Sequence, residues 1–146
     1  MRRVISFGVV TFAAAAAIAG YAFAQEDMIA KRQALMKDNG AQATIGGNMA
    51  QGATPFDAAA AKAAMEKIAA NAAEIPADFP AGSEGGKALP AIWANYADFE
   101  AKAAALKTAA EAAAAATDQG LEAFGPAFGA VGQACGACHQ TYRQPS

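Results

Sequence analysis

The chain has 146 residues, 55% of them hydrophobic and 16% charged, with two cysteines, one histidine and a formal charge of −2. That length holds one compact domain, and because the apolar excess is mostly alanine the side-chain core is thin. The charge balance is slightly acidic and no Lys/Arg cluster occurs, which excludes a nucleic-acid surface.

Residues 1–24 read MRRVISFGVVTFAAAAAIAGYAFA, with a basic start at Arg2 and Arg3, an apolar middle, and small residues Ala22 and Ala24 before a cut. These are the parts of a Sec-type signal peptide rather than of a retained membrane anchor. Cleavage after Ala24 leaves 122 residues, numbered 25–146, with nine basic against thirteen acidic side chains and a formal charge of −4. No second long apolar run follows, so the expected product is an exported, periplasmic domain with no stable membrane insertion once the leader is removed.

The mature chain reads as four helices. Between Glu26 and Asn48, Met28, Ile29, Leu35 and Met36 recur at helical spacing, and the helix is expected to fade at Gly46 and Gly47. Asp57 is a credible N-cap for a second helix over residues 58–73, with Phe56 before it as a staple. A Gly- and Pro-rich stretch, residues 74–89, is the longest irregular piece, and its length fits either a cofactor cover or a plain solvated connection. Pro90 opens a long third helix in which Ile92, Trp93, Tyr96, Phe99 and Leu106 share a packing face, ending near Gly120. The fourth runs from about Leu121 to Arg143, with Pro126 expected to bend its first turns and Gly125, Gly129 and Gly132 read as points of close packing against a neighbouring helix or a porphyrin. No stretch alternates with the period of a strand. The fold class is therefore all-α, an antiparallel up-down four-helix bundle.

The chemistry sits at Cys135-Gly136-Ala137-Cys138-His139, the C-x-x-C-H pattern of covalent haem attachment. Residues three and four apart share a helix face, so both thiols reach one porphyrin edge and His139 presents an imidazole nitrogen to the iron. A structural zinc site lacks further His or Cys ligands, and a thioredoxin-like dithiol lacks its β-α-β setting. A chance match with a local disulfide is the remaining alternative. One covalently attached haem c per chain also supplies the bulky apolar filler that the alanines leave out. P-loop, HExxH and Ser-His-Asp patterns are absent, so hydrolytic and nucleotide chemistry are not expected.

The C-terminal CGACHQTYR, on the last of four helices, resembles the cytochrome c prime family of class II c-type cytochromes. RQALM at residues 32–36, GSEGG before the third helix, PAIWANYADF within it and FGAVGQACGACH in the fourth extend the likeness over the mature chain. In an up-down bundle the first and last helices are neighbours. His139 lies about one turn from the end of the last, which places a sixth iron ligand early in the first helix, at Met28 or Met36, and disfavours Met49.

The resemblance selects Met36, one turn after Arg32, and the LMKDNG stretch is similar to low-spin members in which this Met binds iron. In high-spin members the corresponding residue only guards an open iron. The resemblance also implies that Arg32 pairs with a haem propionate, that Arg143 lies near the proximal side, and that Trp93 packs near the haem.

A His/Met iron implies a carrier of single electrons, not an enzyme, working with redox partner proteins in the periplasm. The alternative is a five-coordinate haem protein binding nitric oxide or carbon monoxide, and a weaker one is an auxiliary haem module of a larger complex. A homodimer through the first two helices, as in some relatives, is the other pairing that the resemblance allows. The acidic balance points to a basic partner.

Overall fold

The computed structural model describes residues 11–145. Arg2 and Arg3 of the expected leader lie outside the described residues. The elements are α1 (Thr11–Ala50), α2 (Ala58–Glu74), a short α3 (Ala91–Ala94), α4 (Tyr96–Ala116) and α5 (Leu121–Tyr142), with 3-10 turns at Pro76–Asp78 and Thr117–Gln119. The long helices α1, α2, α4 and α5 form the antiparallel four-helix bundle. Helix α2 packs on α1 and α4, and α5 closes the ring against α4 and α1. Among the described residues no helix is long and apolar enough to cross a membrane.

Helix α2 starts where the cap chemistry puts it: Asp57 is extended and its carboxylate accepts a hydrogen bond from the Ala60 N–H at 3.0 Å. Phe56 packs on Phe124 of α5, ring centroids 5.6 Å apart. Between α4 and α5 the chain turns at Gly120, whose φ of +92° is open to glycine at little steric expense. Helix α5 then runs on through Pro126.

Three local expectations are corrected. The third helix is not continuous: it breaks at Asn95 (φ −131°, ψ 50°), separating α3 from α4. The Asn95 carbonyl accepts from the Phe99 N–H at 3.1 Å as the first bond of α4, and the Tyr142 hydroxyl of α5, which donates to Asp98, lies 3.4 Å from it. Helix α1 does not fade at Gly46 and Gly47 but continues to Ala50, because these glycines are buried where α1 meets α5. A Cβ at Gly46 would lie 2.8 Å from the Phe128 ring and 3.0 Å from Met65 Cε. That is where helix meets helix closely; at Gly125, Gly129 and Gly132 a Cβ would meet no protein atom within 4 Å, so of the two close approaches expected there the one to a neighbouring helix is not found.

This contrast gives a paired prediction. Gly46→Ala should destabilise the protein by about 1–2 kcal/mol through overpacking. Gly40→Ala, in the same helix with nothing within 4 Å, should stabilise it by about 0.5–1 kcal/mol through helix propensity alone. Denaturant unfolding of the two variants reads both signs.

The core is built from alanines meeting across α2 and α4, with Met65, Ile68, Ile92, Phe99, Phe124 and Val131 as its bulky members. Buried Asn71 ties α2 to α1, its amide donating to Asp38 Oδ2 at 2.7 Å and to Asn39 Oδ1 at 2.9 Å. The amides of Asn71 and Gln42 hold the Asp38 carboxyl below the usual carboxylate range, with Lys67 adding to the effect. A carboxylate with a depressed folded pKa stabilises fully above its unfolded value, about 4, and loses that contribution as pH falls through the folded value. Thermal melts of wild type and Asp38→Asn should therefore differ at pH 7 and converge as the pH drops below about 4.

Candidate functional site

At the end of the bundle where α1, α5 and the 75–89 segment converge lies a cavity of about 490 Å³, within the size range of cofactor sites. Arg32, Gln33, Met36 and Lys37 enter it from α1, Cys138, His139 and Tyr142 from α5, and Phe79, Gly85, Gly86 and Lys87 from the irregular segment, with Ile92 and Phe99 behind. The long loop is thus a wall of the cavity and not a plain solvated connection. Met28 and Met49 are not among the lining residues, and Met49 and Met65 are core.

Arg32 holds the loop in place. It is only 6% exposed, and its guanidinium donates from Nε to the Asp78 carbonyl at 2.6 Å and from Nη2 to the Ser83 carbonyl at 2.6 Å and the Ser83 hydroxyl. Its carbon lies 4.3 Å from the centroid of the Phe79 ring and 5.7 Å from that of Trp93, stacking geometry suited to a planar cation. Burial pulls the Arg32 pKa down, opposed by the negative charges of Asp78 and Glu84. Lys31 pairs with the buried Asp78 carboxylate at 2.6 Å.

Further side chains hold the loop from the other side, since Trp93 Nε1 donates to the Pro80 carbonyl at 2.9 Å and the Tyr96 hydroxyl to that of Pro76 at 2.6 Å. Trp93 packs against Phe79 rather than lining the cavity itself. Phe79, Asp78 and Ser83 escaped the sequence reading because loop residues carry no periodicity. The available signal was a Phe between two prolines in a segment too long for a plain connection.

On α5, Cys135 and Cys138 are half-buried free thiols one turn apart, and burial pushes both pKa values up. Cys138 lines the cavity; Cys135, one turn earlier, does not. His139 follows on the same wall. Burial and the neighbouring Arg143 charge lower its pKa, which favours the neutral imidazole, the form that can bind a metal. Tyr142 is buried, its hydroxyl donates to Asp98 Oδ2 at 2.6 Å, and this bond with burial pushes its pKa up to about 12.

Arg143 lines the cavity, and its N–H caps α5 by donating to the His139 carbonyl at 3.1 Å. The chain beyond α5 is stitched to the loop: Leu89 N–H donates to the Tyr142 carbonyl at 3.0 Å and Gln144 N–H to that of Lys87 at 2.9 Å.

Arg32 Nη1 is buried without a hydrogen-bond partner among the described residues, a costly state for a charged donor. The Asp78 carboxylate oxygens beside it, ion-paired with Lys31, are likewise buried without a hydrogen-bond partner, so this end of the cavity wall holds a buried cation next to a buried anion. A guanidinium, an apolar wall, the Cys138 thiol and an imidazole at the cavity, with the Cys135 thiol one turn earlier on the same helix, fit haem, whose propionates, ring, vinyl groups and iron match them in turn.

The family model for cytochrome c' matches residues 27–143. The chain belongs to the cytochrome c' family. It is 45% identical over 116 residues to cytochrome c-556 of Agrobacterium fabrum, covering 79% of this chain and 80% of the relative. It is 41% identical over 95 residues to cytochrome c' of Alcaligenes xylosoxydans xylosoxydans, covering 64% and 75%. A solved nitric oxide complex of a cytochrome c prime variant from Alcaligenes xylosoxidans superposes with a TM-score of 0.77 at 35% identity, covering 83% of this chain and 97% of that one. As a cytochrome c' the protein is a c-type cytochrome of electron transport, and its cofactor is covalently attached haem c.

Proposed function

We propose that this cytochrome c' is a periplasmic carrier of single electrons, not an enzyme, with His139 and Met36 as the two axial ligands of the haem iron and Cys135 and Cys138 as its thioether anchors. The observation that carries the reading is that Met36, on α1, and His139, on α5, line one cavity, while Met28, the other methionine that position allows, does not. Haem iron with a His and a thioether ligand supplies a one-electron couple biased toward the ferrous state.

The protein's part is to hold its ligands still. Met36 is fixed on a helix and His139 on the helix packed beside it, so both ligands stay in place whichever oxidation state is present. The partly exposed Met36 thioether would hold the iron opposite His139 and exclude small gases from it. Arg32, held by the loop at the cavity wall, would pair with a haem propionate, and Arg143, one turn after His139 on the same wall, would lie on the proximal side. The leader, residues 1–24, is removed after Ala24, cutting α1 so that the mature domain spans 25–146, and the domain works outside the inner membrane.

A second reading is favoured by one observation, the nitric oxide complexes among the similar solved structures. In that reading Met36 is an unbonded guard, and the protein binds nitric oxide or carbon monoxide at a five-coordinate iron. Optical spectra of the holo protein in both oxidation states, the reduced form with and without carbon monoxide, separate the two. The carrier reading expects low-spin spectra with a ferric Met-to-iron charge-transfer band and no response to carbon monoxide. A high-spin spectrum that shifts on adding the gas overturns it.

A further inference from the structure

We propose that Lys37 and Lys87 form a cationic rim on the haem cavity that docks the acidic face of a redox partner protein. The inference rests on the electron-carrier reading above. The sequence has seven lysines. Among the described residues five are held in ion pairs: Lys31 with Asp78, Lys62 with Asp118, Lys67 with Asp38, Lys102 with Asp98 and Lys107 with Glu111. The remaining two, Lys37 and Lys87, are exposed, and both line the cavity. No Asp or Glu lines it.

A second groove, between α2 and α4, shows the contrast. Its lysines, Lys62 and Lys107, face Asp118 and Glu111 and are neutralised in place. The charged side chains that line the haem cavity are all basic, with the acid Glu84 next in the chain to the wall at Gly85, whereas the protein as a whole is acidic. Charges more than about 8 Å apart are screened at physiological ionic strength, so an approaching surface responds to the rim and not to the net charge. Arg32 is buried beside the Asp78 and Glu84 charges, which leaves Lys37 and Lys87 as the exposed lysines at the cavity.

Their positions are also built. Lys37 follows Met36 on α1, and Lys87 follows Gly85 and Gly86, both at positive φ (+134° and +62°). A Cβ on Gly86 would come within 3.1 Å of the Ile29 side chain, so the glycines let this segment lie close against α1. The bond from Gln144 N–H then fixes the Lys87 carbonyl to the end of the haem helix. A rim placed this way brings an acidic partner to the cavity end of the bundle, where an electron has the shortest way out. The basic partner expected from net charge is the wrong sign for this face.

The test uses the mature holo protein, the double variant Lys37→Glu/Lys87→Glu, and a control, Lys62→Glu/Lys107→Glu, with the same change in net charge. Stopped-flow mixing of the reduced protein with hexacyanoferrate(III) moves one electron from the protein to the complex, which leaves as hexacyanoferrate(II). At low ionic strength the rim variant should react about tenfold more slowly than wild type and lose most of its salt dependence, with the control within about twofold. Poly-L-glutamate, a stand-in for an acidic protein face, should shift the amide resonances around Lys37 and Lys87 in wild type and not in the rim variant.

Equal slowing of both variants would reduce the effect to net charge and overturn the proposal. A rim variant with changed reduction potential but unchanged rate and unchanged poly-L-glutamate binding would assign the lysines to the propionates and overturn it as well. Poly-L-glutamate binding is read without electron transfer. Failure of the carrier reading, visible in the carbon monoxide spectrum, is thus distinct from failure of the docking surface.

Discussion

Met36→Ala is expected to turn a protein indifferent to carbon monoxide into one that binds it. In the proposed His/Met site the sixth position is open only for the small fraction of time that the thioether is off the iron. The apparent affinity for an incoming gas is reduced by that same fraction. If the position is open less than a tenth of the time, removing the thioether raises carbon monoxide affinity more than tenfold. The ferric charge-transfer band should vanish and the reduction potential should fall, since the soft sulfur ligand is what favours ferrous iron.

The loss of packing is modest because Met36 is only partly buried beside the core, so the variant should still fold. Titration of reduced wild type and variant with carbon monoxide, followed optically, checks the result. Equal affinities would show Met36 to be a guard that never bonds.

Arg32→Ala should be the most destabilising single change at the site, by about 3–5 kcal/mol. It deletes the bonds to the carbonyls of Asp78 and Ser83 and to the Ser83 hydroxyl, and removes the cation stacked on Phe79. It also leaves the Asp78 carboxylate, 1% exposed, with Lys31 as its remaining counter-charge. The segment from Pro76 to Lys87 should loosen first, seen as faster amide hydrogen exchange there than in α2 or α4.

Arg32→Lys should recover only part of the loss, because an ammonium cannot span two carbonyls and stack on a ring at once. If Arg32 served a propionate alone, exchange in the loop would be unchanged and only the haem spectrum or potential would move. Both responses together are expected, since Arg32 both holds the loop and lines the cavity.

The helices were legible because their signals are local. The Asp57 cap, the apolar spacing of α2 and α5 and the Gly120 turn are each decided by a few neighbouring residues, and the structure has them where the residues put them. The break at Asn95 was not legible, since residues 92–98 carry no Gly or Pro to signal it and the α5 side chain beside it, Tyr142, lies 47 residues further along the chain. Gly46 and Gly47 misled for the same reason. Read alone they weaken a helix, but in the bundle they are the small residues that let Phe128 approach.

At the site, the sequence by itself determined the chemistry: two thiols and an imidazole at the spacing of haem attachment on one helix, and a short choice of methionines for the far side. Tertiary structure decided the rest. It brought Met36 and not Met28 into the cavity, and it showed Arg32 to be a strut for the loop with one nitrogen to spare. It also paired five lysines and left Lys37 and Lys87 at the rim. The division has a physical reason. Covalent and helical spacing is a property of neighbours along the chain, whereas which charge is neutralised, and which donor is left without a partner, depends on groups that meet only when the chain is folded.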